Sequence, residues 1–492
     1  MRVAGVVVAV AGLAGLARAE TRPTYGGEVK GSLLGAPVTF DPVAAQSHAE
    51  ITVVGLVFDT LYAIGADGAA EPHLAVGPPV LDAARTTAHV ALRRGVMFHD
   101  QTVMTAADVA DSLERVRGRI GWLLAPVASV RVAGDGVDLL LRAPGVDVAP
   151  LLALPQTAIT RRGQAPAAAR PIGSGPFAVD GFDPAARRLV LRAFDDHFAG
   201  RPYLDRLELT WFDAPDTPDG EARRFETGVA QLSARGAAAF AGARPMYAAS
   251  RVESAAALLV FVGFGRHHAV MSEPVLRQAL DLALDRGALA TITTGEYSQP
   301  TRLPVPSQAG APVLDAAGRS GDPGKARDLL DAAGARVAAL AASHRRTLTP
   351  LSILVDQTRP DDREIALRVS RGLDRLDISS TIEAVPPAVL RERVGRGDCD
   401  LWIGQIAAPV GLAAAWWGAA FAAGNSDWPR RALAAGALDP AAAAAEFARA
   451  LPIVPLMFRS VLIWHRNAVH GLGFDASGRP ALADLYWFKG PP

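Results

Sequence analysis

Apolar positions recur with two different periods along this chain, and the switches between them mark its elements. In TTAHVALRRGVMF, residues 86 to 98, Ala88, Val90 and Leu92 fall on one face and Thr87, His89 and Arg93 on the other. That is the alternation of a strand with one wet side. Just downstream the period lengthens: Val109, Leu113 and Val116 form a helical stripe, and Thr105 with Asp108 makes a capping box at its start. Earlier, a short strand over GGEVKGSLL precedes a helix opened by Asp41-Pro42, with Ile51, Val54, Leu56, Phe58 and Leu61 apolar. Asp67-Gly68 marks a turn, and Gly134-Asp135-Gly136 centres a hairpin. Residues 172 to 212 predict a Gly/Pro-rich loop and then two strands joined by an aromatic, proline-containing turn. Residues 272 to 289 predict one amphipathic helix with Val275, Leu276, Ala279, Leu280, Ala283 and Leu284 inward. LSILVD, the helix REIALRVSRGLDRLD and ISSTIEAV make a strand–helix–strand unit, which favours a parallel pair. PIVPLMFRSVLIWHR predicts a final strand pair.

Composition narrows the class. Half of the 492 residues are apolar and 20% are charged, which excludes a disordered chain and allows two or three domains. Lys plus Arg and Asp plus Glu balance at 50 each, so no nucleic-acid partner is expected. MRVAGVVVAVAGLAGLARAE holds an Arg at its second position, an apolar run from Val3 to Ala17 and the small-residue pattern Ala17-Arg18-Ala19. That predicts a secretory signal over residues 1–19, cleaved before Glu20. The run is short for a membrane span, and no later stretch of about 20 apolar residues replaces it. Cys399 is the only cysteine, so no intramolecular disulfide forms and no cysteine follows the signal to carry a lipid anchor. The expectation is a periplasmic protein, neither membrane-anchored nor a lipoprotein. Cys399 itself, in GRGDCDLWIG, reads as a small core residue.

Candidate chemistry is sparse. His99 and Asp100 in GVMFHDQTVMTAADV offer two metal ligands, but no third His or Cys lies at helical or hairpin spacing. His267 and His268 are adjacent, so on a strand they point to opposite faces, and they read as a solvated loop. The Gly-Ser-Gly of residues 173 to 175 lacks the Lys and Ser/Thr of a phosphate-binding loop and precedes a strand. There is no Gly-x-Ser-x-Gly elbow and no His-Glu-x-x-His helix. No catalytic residue, metal or cofactor is therefore expected.

Six stretches carry a resemblance: GVMFHDQTVMTAADVADSLERV, IGSGPF, FDDHFAGRPYLDRLEL, VLRQALDLALDR, DCDLWIGQ and LPIVPLMF. In this order and rough spacing they resemble the large periplasmic solute-binding proteins of peptide and nickel importers, the family 5 extracellular solute-binding proteins. The resemblance implies a two-lobed α/β fold of the periplasmic-binding-protein type II class, with an additional α/β domain and a ligand cleft between the lobes. Lobe I would comprise residues 20–43, 171–259 and 458–492, the additional domain 44–170, and lobe II 260–457. It implies a monomer that closes on a peptide-like or other small solute, delivers it to the membrane subunits of an ABC importer, and performs no covalent chemistry. The His99-Asp100 corner would present a helix N-terminus.

By the same resemblance, the cleft would be lined near TFDP by Phe40, by Trp402 and Gln405 on the DLWIGQ strand, and by Trp416 and Trp417 after it. Arg359, near the start of the helix over 361–375, would hold a carboxylate through its planar fork. The chain departs from the family where peptide binders carry an Asp-Tyr-Pro-Asp-Pro turn whose acid meets the peptide's amino terminus. IAAPVGLAAAWWGAAF follows Gln405, with no acid before Asn425. VAQL at 229–232 also lacks its acid, and the stretch from Asn425 to Pro452 is shorter than usual. An unpartnered buried ammonium is costly, so an ordinary free peptide is not expected. A modified peptide, an opine-like or sugar compound, or a metal chelate fits better. The alternatives are a non-transport binding or sensory module, decayed or repurposed, and a periplasmic enzyme.

Overall fold

The computed structural model describes residues 23–65, 68–165, 169–214, 220–240, 242–247, 249–265, 273–292, 297–333, 350–434 and 438–488. The signal segment, Asp67, His267 and His268 lie outside the described residues.

Near the N-terminus, Glu28–Ser32 runs parallel to Arg206–Thr210, and Arg188–Ala193 and Phe177–Asp183 complete a four-stranded sheet. Phe177–Asp183 is one strand more than the pattern predicts. A register shift between Val179 and Gly181 breaks its alternation, and with it the periodic signal. Asp41-Pro42 opens only a 3-10 turn, Pro42–Ala44. The helix proper is His48–Val57, capped by Ser47 with Glu50 completing the capping box, so Phe58 and Leu61 lie beyond its end.

A second antiparallel sheet sets Val80–Leu81, Thr87–Ala91, Gly136–Leu141 and Val127–Ala133 side by side. Ala88 and Val90 are fully buried, as their alternation requires. Helix Ala106–Arg119 packs on this sheet and begins as its capping box predicts: Thr105 N donates to Asp108 Oδ2 at 2.8 Å.

The six-stranded sheet has the order Ser298–Pro300, Val454–Arg459, Leu258–Phe264, Leu401–Ala407, Leu351–Asp356, Ser380–Val385. Leu351–Asp356 is parallel to both neighbours, and helix Asp362–Asp374 connects it to Ser380–Val385, as the strand–helix–strand reading requires. The helix expected over 272–289 is two: Pro274–Ala283 and Arg286–Leu289, broken at Leu284 and restarted by an Asp285 cap. The break serves Arg286, whose buried guanidinium donates to the carbonyls of Asp281, Thr301 and Pro455 at 2.8 to 3.2 Å.

Val454–Arg459 and Leu462–Arg466 do not pair with each other. Leu462–Arg466 belongs to a three-stranded sheet with Leu232–Ser233 and Ala249–Glu253. The chain thus passes between these two sheets twice, through residues 254–257 and 460–461. The passages are tied: Ser254 N donates to Val461 O at 2.9 Å and Val461 N to Ser254 Oγ at 2.8 Å. The result is a two-lobed mixed α/β molecule. One apolar core is continuous from the Thr87–Ala91 sheet to the six-stranded sheet. It is closed where Trp122 lies against helix Ala413–Ala423 at Gly418, where a Cβ would meet the indole at 2.1 Å. No described helix is long and apolar enough to cross a membrane.

Candidate functional site

In an open α/β sheet the ligand-facing edge is the carboxyl end of the parallel strands. Here that edge is Asp356, at the end of Leu351–Asp356, together with the segment 357–361 that leads into helix Asp362–Asp374. The segment meets the N-terminal part of the chain: Ala36 N donates to Thr358 Oγ1 at 3.0 Å. It also meets the segment after Arg206–Thr210, where Ala214 N donates to Gln357 O at 2.7 Å and Gln357 Nε2 to Asp213 Oδ1 at 3.2 Å.

Arg359 sits in this contact, its side chain 11% exposed, and its guanidinium is already engaged. Nε lies 3.2 Å from Asp356 Oδ2 and Nη1 3.1 Å from Asp362 Oδ2. Burial works against its charge, but Asp362, Asp356 and Glu50 together hold it more firmly protonated than a free arginine. The carboxylates this fork was expected to bind come from its own chain. Asp361 pairs with buried Arg459. Asp356 Oδ1 accepts the Thr358 N–H at 2.9 Å and hydroxyl at 2.7 Å. Asp362 Oδ1 is buried without a hydrogen-bond donor among the described residues. Burial raises the Asp362 carboxyl to about 7, with Asp356 and Asp361 adding to the shift and Arg359 and Arg459 opposing it.

A second ionic contact lies beside this one. Glu50, fully buried in the first helix, accepts backbone N–H groups of Val38, Gln46 and Ser47 at 2.9 to 3.0 Å. It also takes Arg391 Nη2 at 2.5 and 2.6 Å from helix Pro387–Arg396.

The other expected ligand contacts are dispersed. Phe40 is buried edge-on against Phe182, with ring centroids 4.8 Å apart. Trp402 is half-buried, crosses Phe261 edge-on at 5.1 Å and lies over Gly263 and Gly404; its indole N–H has no partner among the described residues. Gln405 is half-buried on the same strand, opposite Val260. Trp416 and Trp417 correct the expectation: both are core. Trp416 Nε1 donates to Pro409 O at 3.0 Å and its ring meets Phe458, while Trp417 packs on Phe421 and Phe447. In this Ala-rich helix Trp416, Trp417 and Phe421 are the large side chains that fill the space beneath it. Arg359, Asp356, Asp361 and Asp362 are brought together at the start of helix Asp362–Asp374, whereas the tryptophans belong to or pack against the apolar core.

His99 is a corner, as its family resemblance implies. Its N–H donates to Gly173 O at 2.8 Å, its Nδ1 accepts Gly173 N at 3.3 Å, and its Nε2 lies 2.9 Å from Gly175 O. Burial holds it below the ordinary histidine range. The glycines of IGSGPF are explained here, because a Cβ at Gly173 would stand 1.9 Å from Val57 O. Under this corner lies a cluster that the sequence reading missed. Buried Asp59 takes His73 Nε2 at 3.0 Å and the Ser174 hydroxyl at 2.8 Å, with His197 Nε2 at 3.7 Å. Burial opposes its charge, yet the histidines hold Asp59 well below the ordinary carboxylate range, and Asp59 in turn raises His197 above its own.

Residues 69–427 match the family described as bacterial extracellular solute-binding proteins, family 5 Middle. The chain belongs to that family. Among curated family 5 relatives, it is 26% identical to the oligopeptide-binding protein AppA of Bacillus subtilis (strain 168) over 288 residues. That match covers 55% of this chain and 52% of AppA, so it spans about half the length of the relative. The fold extends further than the sequence match. NikA from Staphylococcus aureus in complex with Ni(L-His)2 superposes with a TM-score of 0.77 at 16% identity, covering 94% of this chain and 99% of that one. AgaA in complex with agropinic acid, from A. tumefaciens R10, gives 0.75 at 20% identity, covering 94% and 99%. At such identities the likeness shows the family 5 fold alone.

Proposed function

We propose that this family 5 protein is a periplasmic receptor, exported by a cleaved signal and monomeric, that closes on a small solute and presents it to the membrane subunits of an ABC importer. The observation that carries the reading is the meeting of two lobes at the carboxyl end of the parallel strands, through segment 357–359. The expected bounds, 20–43, 171–259 and 458–492 for lobe I, 44–170 for the additional domain and 260–457 for lobe II, are kept except at the two passages, where Leu258, Leu259, Phe458 and Arg459 go with the six-stranded sheet of lobe II. Separation and closure of the lobes about the two adjoining passages is the conformational change, and the solute shifts the balance toward closure. Phe40, Trp402 and Gln405 are the cleft-lining candidates, with the 356–362 segment as the polar wall. No covalent step is assigned to it.

A melting-temperature screen of the purified protein against free and blocked peptides, sugars, opines and nickel chelates tests this. A solute present at 100 times its dissociation constant adds about 2.7 kcal/mol of stability. A specific rise with one class supports the reading. Turnover of a compound that is lost with one polar substitution would replace it with an enzyme.

A further inference from the structure

The polar wall has more acid than base. Asp356, Asp361 and Asp362 face Arg359 and Arg459, three carboxylates against two guanidiniums, while Glu50 and Arg391 balance each other beside them. Of the three acids, Asp356 is met by Thr358 and Arg359, and Asp361 by Arg459. The odd one is Asp362, 1% exposed, whose Oδ2 meets Arg359 while Oδ1 has no donor among the described residues. A buried carboxylate oxygen without a donor is costly, and an added cationic N–H removes the cost. The same wall has lost its use for a ligand carboxylate, because Asp356 and Asp362 occupy the Arg359 fork. The turn after Gln405 supplies no acid either, since none occurs before Asn425. The start of helix Asp362–Asp374 does hold a buried acid.

We propose that Asp362 is the anionic anchor of the ligand site and that the preferred solute directs a cationic nitrogen, an ammonium or a guanidinium, at it and no carboxylate at Arg359. This rests on the receptor reading. Segment 357–359 belongs to the same lobe as Asp362 and contacts the Gly35–Ala36 corner of the other, so parting of the lobes uncovers the segment, and a shift of the segment then gives the solute access to Asp362. Without the solute, Asp362 carries a proton for part of the time at neutral pH, and the arriving cation displaces it.

The test compares four end-states of leucyl-phenylalanine with the purified protein: free, C-amidated, N-acetylated, and both blocked. Agmatine is the guanidinium probe and sucrose the neutral control. The C-amidated dipeptide or agmatine should raise the melting temperature, and the N-acetylated acid should not. Asp362→Asn should weaken the cationic probes at least tenfold while melting no lower than the parent, which separates loss of the anchor from loss of the fold. Calorimetry at pH 7 in buffers of different ionisation enthalpy should show proton release on cation binding, and none from Asp362→Asn. Equal binding of the cationic probes by Asp362→Asn overturns the proposal, and so does preference for the N-acetylated acid or silence from every cationic probe. In those cases binding of an acetylated form or of sucrose leaves the receptor reading standing, and silence from all six removes the anchor and leaves the receptor reading to the wider screen.

Discussion

The single residues that matter most here are buried acids, and their pH signatures differ in sign. Asp362 is raised from 3.8 to about 7, so the folded state holds a proton that the unfolded chain has lost, and stability falls as pH rises through this window. Asp362→Asn should flatten that part of the pH–stability profile and gain on the order of 1–2 kcal/mol over the parent at pH 8, read from urea melts. Asp59 is the reverse case. Its carboxylate is held below the ordinary value, so its contribution is complete above about pH 4 and disappears as the pH falls further. Asp59→Ala should cost about 3–5 kcal/mol at pH 7, because it strands His197 and Ser174. Little of this was readable beforehand. Asp356, Asp361 and Asp362 flank Arg359 within seven residues of sequence, a visible signal for a self-paired guanidinium. Asp59, His73, Ser174 and His197 are scattered over the chain, and only the fold brings them together.

At the scale of elements, the sequence was most legible where a local rule decides. The Thr105–Asp108 cap, the Gly134–Gly136 hairpin and the parallel Leu351–Asp356 pair need only neighbouring residues or one crossover. It misled where tertiary packing decides. Trp416 and Trp417 stand in an apolar stretch whose helical face has no periodic signal, so nothing local distinguishes a cleft wall from a core. The same helix gives a direct test of its packing. A methyl group at Gly418 would enter the Trp122 ring, so Gly418→Ala should lower stability by about 1–3 kcal/mol in a thermal melt, although alanine is the better helix former.

For the whole molecule, the family and its two lobes were readable because six motifs kept their order, while the solute was not, because it depends on which polar groups the closed cleft leaves without partners. The Glu50–Arg391 contact joins elements far apart in sequence across the wall beside segment 357–359. Helix His48–Val57 shares the apolar core of the Glu28–Ser32 sheet, so Arg391→Ala, which leaves Glu50 with its three backbone donors, keeps the fold while in the proposed receptor the lobes should spend more time apart. X-ray scattering should then give a larger radius of gyration than the parent without solute, and an equal one with it. In the proposed receptor, the lobes turn on the doubled passage tied between Ser254 and Val461. In mechanical terms such a pair is a leaf flexure: two ribbons fixed edge to edge are stiff against twist and sideways slip and compliant to bending across their width. The freedom left to the molecule is then close to a single angle, and whatever the cleft selects need only supply the work of turning it.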